Sequence, residues 1–110
     1  MDYLAWLLGN GWEKSKDQGP YSGSLYLAKG PLLLDVDIAE PIVFFNLYSS
    51  RFFTGWNKEP QVRFDLPIVT NLPHEDVEKQ LKGLLEDGLY LCMLIRPHMV
   101  EYGITIYLGD

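Results

Sequence analysis

The feature that most constrains this chain is a succession of strand-like segments between Ser24 and Val69, broken at short intervals by turn residues. "SLYLA" and "PLLLDVDI" flank "KGP", the pattern of a β-hairpin. "PIVFFNLYS" and "RFFTGW" follow, dense in aromatic residues, and read as two further strands joined around "SSR". After the turn "NKEP" comes "QVRFDLPIV", in which Val62, Phe64 and Leu66 alternate with Arg63 and Asp65. Alternation of this kind buries one set of side chains on a sheet face and turns the other set away from it. Pro67 cannot donate to a ladder, so it puts its part of the strand at a sheet edge or ends it there.

Two segments have helical spacing instead. Tyr3, Leu4, Leu7 and Leu8 predict a short helix over residues 2–8, ended by "GNG". The polar stretch 13–24 that follows is the longest loop expected. The clearest helix comes after "TNLP", where Thr70 or Asn71 can cap, Pro73 fits the first turn, and Glu75 and Asp76 suit the positive end. Val77, Leu81, Leu84 and Leu85 form its apolar stripe, and Gly88 is the expected C-cap. Gly83 interrupts the middle, as close packing against a neighbour would require. "LYLCMLI", the turn "RPHM" and "EYGITIYLG" then read as a closing antiparallel hairpin. The fold expected for residues 1–110 is therefore a single α+β domain. It has a mainly antiparallel sheet of about five to six strands, a short N-terminal helix, and one longer helix packed on one face.

Composition narrows the possible functions. With 47% hydrophobic and 14% aromatic residues, the chain has ample material for a core and does not read as disordered. Its one cysteine, Cys92, excludes an internal disulfide framework and a multi-cysteine zinc site, and suits a core thiol in a reducing compartment. No stretch has the length of a membrane span, and Asp2 and the "GNG" break are wrong for a secretory signal, so a cytoplasmic location is expected. Fifteen acidic residues outnumber nine scattered bases, for a net charge of −6. That balance argues against nucleic acid and anionic membranes, and it permits a basic protein partner.

The acids concentrate in one place. No base occurs between Lys29 and Arg51, yet Asp35, Asp37 and Glu40 lie there. Alternation puts Asp35 and Asp37 on one strand face, expected to meet water, with Glu40 just past the strand end. A hard cation would need further oxygen ligands, and an EF-hand pattern is absent. A hydrolytic carboxylate pair needs to span a cleft, which one strand face does not provide. His74 and His98 belong to no catalytic motif, and nothing activates Cys92. No catalytic set, metal site or cofactor motif is expected. What remains is a docking patch or a solvated face.

The aromatic region around Arg51, Lys58 and Arg63 reads mainly as core, with some rings left exposed. Tyr48 and Trp56 are the candidate interface anchors. The functional expectation is a small acidic protein-binding domain, an inhibitor of the immunity type that masks a basic partner such as a toxin nuclease. Asp35, Asp37 and Glu40 would steer the encounter. One alternative is a small enzyme or ligand-binding domain with a site where the 13–24 loop meets the sheet, using His98, Asp35 or Glu101. Another is a structural subunit whose aromatic strands pair across a two-fold axis. The protein is expected to be a monomer or a homodimer.

Overall fold

In the computed structural model, residues 1–21, 23–58 and 61–108 are described. Asp2 opens the first helix by accepting a hydrogen bond from the backbone N–H of Ala5 at 3.1 Å. The helix, α1, runs over Tyr3–Gly9 and buries Tyr3 and Leu7. Six strands follow the chain: β1 (Glu13–Lys14), β2 (Leu25–Lys29), β3 (Leu32–Ala39), β4 (Ile42–Ser49), β5 (Arg63–Val69) and β6 (Thr105–Tyr107). Between β5 and β6 come α2 (His74–Met93) and the one-turn α3 (Pro97–Val100). They form one six-stranded sheet in the order β1-β2-β3-β4-β5-β6, antiparallel except for the last pair. The α+β reading thus describes the protein.

The sheet has an apolar face and a polar one, as alternation dictates. Leu34, Val36, Phe45, Leu47, Phe64, Leu66 and Ile68 are fully or almost fully buried on the inner face. Tyr3 and Leu7 of α1 and Val77, Leu81 and Cys92 of α2 join them in one apolar cluster. Burying side chains of this size on both sides of the helix–sheet contact is the main stabilising term, at ~1.5–3 kcal/mol each. No helix among the described residues is long and apolar enough to cross a membrane.

The C-terminal third departs from the sequence reading. "LYLCMLI" is not a strand: α2 runs through Gly88 to Met93. Positions 77, 81, 88, 92 and 95 keep the helical spacing on the buried face, and that burial outweighs the β-like composition. Gly88 is no C-cap but a contact point, since a Cβ there would lie 2.5 Å from Leu47 Cδ2. Gly83, expected to meet a neighbour, has nothing within 4 Å of its would-be Cβ. The closing hairpin is replaced by a crossover. With α2 and α3 intervening, the chain returns to the far edge of β5 and β6 pairs parallel to it over Arg63–Asp65. Pro67 falls beyond that pairing, on the uncovered part of the β5 edge.

Two smaller corrections have local causes. Thr70 does not cap α2, because its hydroxyl donates to the carbonyl of Pro41 at 2.8 Å and to the carboxylate of Glu40. Pro73 stands at the N-cap instead, without a side-chain bond. "RFFTGW" is turn and loop, since Gly55 (φ 134°) and Asn57 (φ 58°) adopt backbone that a strand cannot contain. The turn expected at residues 57–60 and the Gly109 end of the last expected strand lie partly outside the described residues, as does Ser22 in the 13–24 loop.

Candidate functional site

The outer face of the sheet, opposite α2, carries the polar half of each strand. Register sets its rows. Asp35 of β3 is opposite Asn46 of β4, which is opposite Asp65 of β5. One row along, Asp37 is opposite Phe44, and Phe44 opposite Pro67. In the other direction Leu33, Tyr48 and Arg63 align. Three carboxylates, an amide and a guanidinium therefore share a small area because alternation on three paired strands leaves them nowhere else to point.

These side chains line a cavity of about 520 Å³. Asp35, Asn46, Asp65 and Arg63 belong to its lining with Asp37, while Phe44 and Ile38 supply apolar wall. The remaining wall comes from the 13–24 segment through Tyr21, Gly23 and Ser24, and from Asn57. Beside the bonds that Ser15 N–H and the Gln18 side chain donate to the Tyr26 carbonyl, two more hold the 13–24 segment against the sheet and the 52–57 loop. The indole N–H of Trp56 donates to the carbonyl of Asp17 at 3.0 Å, and the backbone N–H of Tyr21 donates to the hydroxyl of Tyr26 at 3.2 Å. Gly19 permits the close passage, since a Cβ there would sit 2.2 Å from the Tyr26 ring. Its N-terminal part is also less loop-like than expected, as Glu13 and Lys14 form β1 against β2.

The charges are unevenly compensated. Arg63 Nε lies 2.8 Å from Asp65 Oδ1 as an ion-pair contact without hydrogen-bond alignment, and Nη2 donates to Asp65 Oδ2 at 3.3 Å. Nη1 donates to Asn57 Oδ1 at 3.1 Å, and Asn57 Oδ1 also accepts from the Tyr48 hydroxyl at 3.4 Å. Burial works against the Arg63 charge, but Asp65 outweighs it and holds the pKa above its ordinary value. Asp35 and Asp37 have no ion-pair partner among the described residues. Burial, reinforced by the Asp37 charge, pushes the Asp35 carboxyl up to about 6; a hydrogen bond from Asn46 and the Arg63 charge oppose the rise. The cavity floor is therefore a carboxyl that changes charge close to neutrality.

The sequence-predicted residues separate into groups. Asp37 is exposed at the cavity, as expected. Asp35 lines the same cavity but does not face open water: it is only 3% exposed, with Tyr26 of β2 on one side of it and Asn46 of β4 on the other. Glu40 lies in the β3–β4 turn beside Thr70 and does not line the cavity. Tyr48 and Trp56 are not exposed anchors; both are buried. With Tyr26 and Phe53 they form an outer-face aromatic cluster, ring centroids 4.8–5.5 Å apart, and burial pushes the Tyr48 hydroxyl up to about 12. Two-sided cover of β4 explains this: the aromatic loop 52–56 folds back over the sheet instead of extending from it.

His98 is in α3 and Glu101 follows it, and neither lines the cavity with Asp35. Cys92 is buried, and burial pushes its thiol up to about 12, far from the range of a reactive thiolate. Sequence reading missed Asn46, Asp65 and Arg63 as site residues. The signal was present in the alternation of "FFNLY" and "VRFDL", but which strands are neighbours decides that these residues meet Asp35.

Chemically, the arrangement is an acceptor-rich concavity with one committed cation. Among the described residues no group of three His, Cys, Asp or Glu side chains is placed to hold a metal ion. It can receive a positively charged or hydrogen-bond-donating group between Asp35 and Asp37. Comparisons with protein-family models, with curated proteins and with solved structures found no match to this chain.

Proposed function

We propose that this protein is a binding domain that masks a basic protein partner, in the manner of an immunity protein or inhibitor, and acts in the cytoplasm. A cationic side chain of the partner enters the cavity above Asp35 and Asp37. The observation that carries this reading is that these two carboxylates line one cavity in which the only cation among the described residues, Arg63, is already paired with Asp65. An uncompensated acidic concavity steers a basic surface toward it and then excludes that surface's own anionic ligand. The buried Cys92 fits a reducing compartment. The role assigned is binding, not catalysis.

Asp37 provides the test because it is exposed and its exchange leaves the core intact. The protein is captured from its host at low salt, and the basic protein that co-elutes is identified. Asp37→Lys should then slow association with that protein about tenfold at low ionic strength and flatten its salt dependence. An unchanged association rate refutes the reading. A second reading, a small-ligand site, is favoured by Tyr21 and Ser24 closing one side of the cavity. It predicts protection of those residues by a low-molecular-weight amine or guanidine without any protein partner.

A further inference from the structure

The face of α2 turned away from the sheet is unusual for a helix that has only water beside it. Gly83 lies mid-helix, where glycine disfavours the helical state, and nothing in the fold uses the space its missing side chain leaves. Gly88, by contrast, has Leu47 against it. Beside Gly83 part of the exposed surface is apolar: Leu72 and Tyr90 are 44% and 63% exposed. Between α2 and the part of β5 that β6 leaves uncovered runs a groove of about 1030 Å³, lined by Val69, Leu72, Gly83, Leu84 and Tyr90 among others.

Two opposite charges on this face flank Gly83 at equal spacing, with Asp76 a third charge further out along the groove. Lys79 lies one i−4 step before it and Asp87 one i+4 step after it, so the three form a single ridge. All three positions are exposed, and neither Lys79 nor Asp87 has an ion-pair partner among the described residues. A surface with this order complements its own copy turned through a two-fold rotation. Where two such helices run antiparallel and cross at Gly83, Lys79 of each meets Asp87 of the other. Ridges of residues spaced four apart interdigitate at a crossing angle of about −50°, the commonest helix-packing class. The glycine at the crossing lets the two backbones come closest where no side chain intervenes.

We propose that the partner of this groove is a second copy of the chain, and that the protein forms a two-fold dimer through antiparallel α2 helices crossing at Gly83. The pairing leaves the outer sheet face open, so it is independent of the acidic cavity and of the function assigned to it. It also differs from pairing through the aromatic strands, whose rings are buried within one chain.

Sedimentation velocity on the full chain tests this at physiological salt, between about 5 and 200 µM. The 12.6 kDa species should give way to one of twice that mass as concentration rises. Gly83→Leu fills open space in the monomer and favours the helix, so the variant stays folded, yet it should weaken association by about tenfold or more. Lys79→Asp and Asp87→Lys should each weaken it at least ~5-fold, and the double exchange should return it to within about twofold of the parent. A parent that stays at the monomer mass throughout overturns the proposal. So does a dimer indifferent to Gly83→Leu, or one in which the double exchange is no better than the single ones.

Discussion

Replacing Asp35 by Asn should make the fold more stable at neutral pH, even though it removes a charged residue from the centre of the candidate site. The carboxyl titrates near its ordinary 3.8 in the unfolded chain and at about 6 in the folded one, chiefly because folding takes it out of water. The folded state therefore holds its proton more tightly. The stability Asp35 contributes is fully present below about pH 4, is lost progressively as pH rises through about 6, and changes little beyond that. A difference of about two pH units corresponds to ~3 kcal/mol at 1.36 kcal/mol per unit. The carboxylate opens on one side to a cavity that admits water, which screens part of this, so about 1–3 kcal/mol is expected. Asparagine has the same shape, keeps a hydrogen bond with Asn46 within reach, and carries no charge to desolvate. Urea unfolding of both proteins across about pH 4 to 8 measures the gap directly, provided the m-value is unchanged. The two should be nearly equal at the acid end, with the variant pulling ahead through pH 5 and 6 and levelling off by 7. A gap of constant size across that range, or a variant less stable than the parent at pH 8, would refute the argument.

The same titration bears on binding: a cationic group seated at Asp35 needs the carboxylate, so affinity should fall about tenfold from pH 7.5 to pH 5, read by calorimetry at both values. Gly83 and Gly88 should respond in opposite senses to alanine. Gly88→Ala drives a methyl into Leu47 and should cost ~1–3 kcal/mol, whereas Gly83→Ala should add ~0.5–1 kcal/mol to the monomer, both measured by thermal or urea unfolding in dilute solution. Cys92 should resist a disulfide reagent at pH 8 in the native protein and react at once in urea, and rapid native labelling would contradict its placement.

Much of the fold is written in local pattern. The β2–β3 hairpin, the alternation of β5 and the start of α2 can each be read from a single short stretch of sequence. What could not be read that way has a non-local cause in each instance. Gly88 is a helix terminator by local chemistry, and only the presence of Leu47 beneath it turns it into a packing position. "LYLCMLI" has a strand's composition, yet Cys92 and Ile95 continue a helical face that becomes visible once the sheet it covers is known. The site follows the same rule. Asp35 and Asp37 share a face by counting alone, but the burial of Asp35 depends on the strands flanking it. Asn46, Asp65 and Arg63 join it through register across three strands, which no single segment contains. Tyr48 and Trp56 look exposed in the sequence alone, because nothing local shows that the loop carrying Trp56 turns back over the sheet at two residues of positive φ, Gly55 and Asn57.

Strand order that repeats chain order has a consequence for synthesis. Each of β2 to β5 lies beside the strand made just before it, so an emerging polypeptide can zip its sheet progressively, without waiting for distant partners. Beyond the part α1 covers, cover for the apolar face arrives later. Until His74–Met93 has left the ribosome, Phe45, Leu66 and Ile68 have no α2 above them. The nascent chain halted after Val69 is thus a sheet with one oily side, the kind of surface chaperones hold. Parallel addition of β6 comes last, as a clasp over an edge already formed.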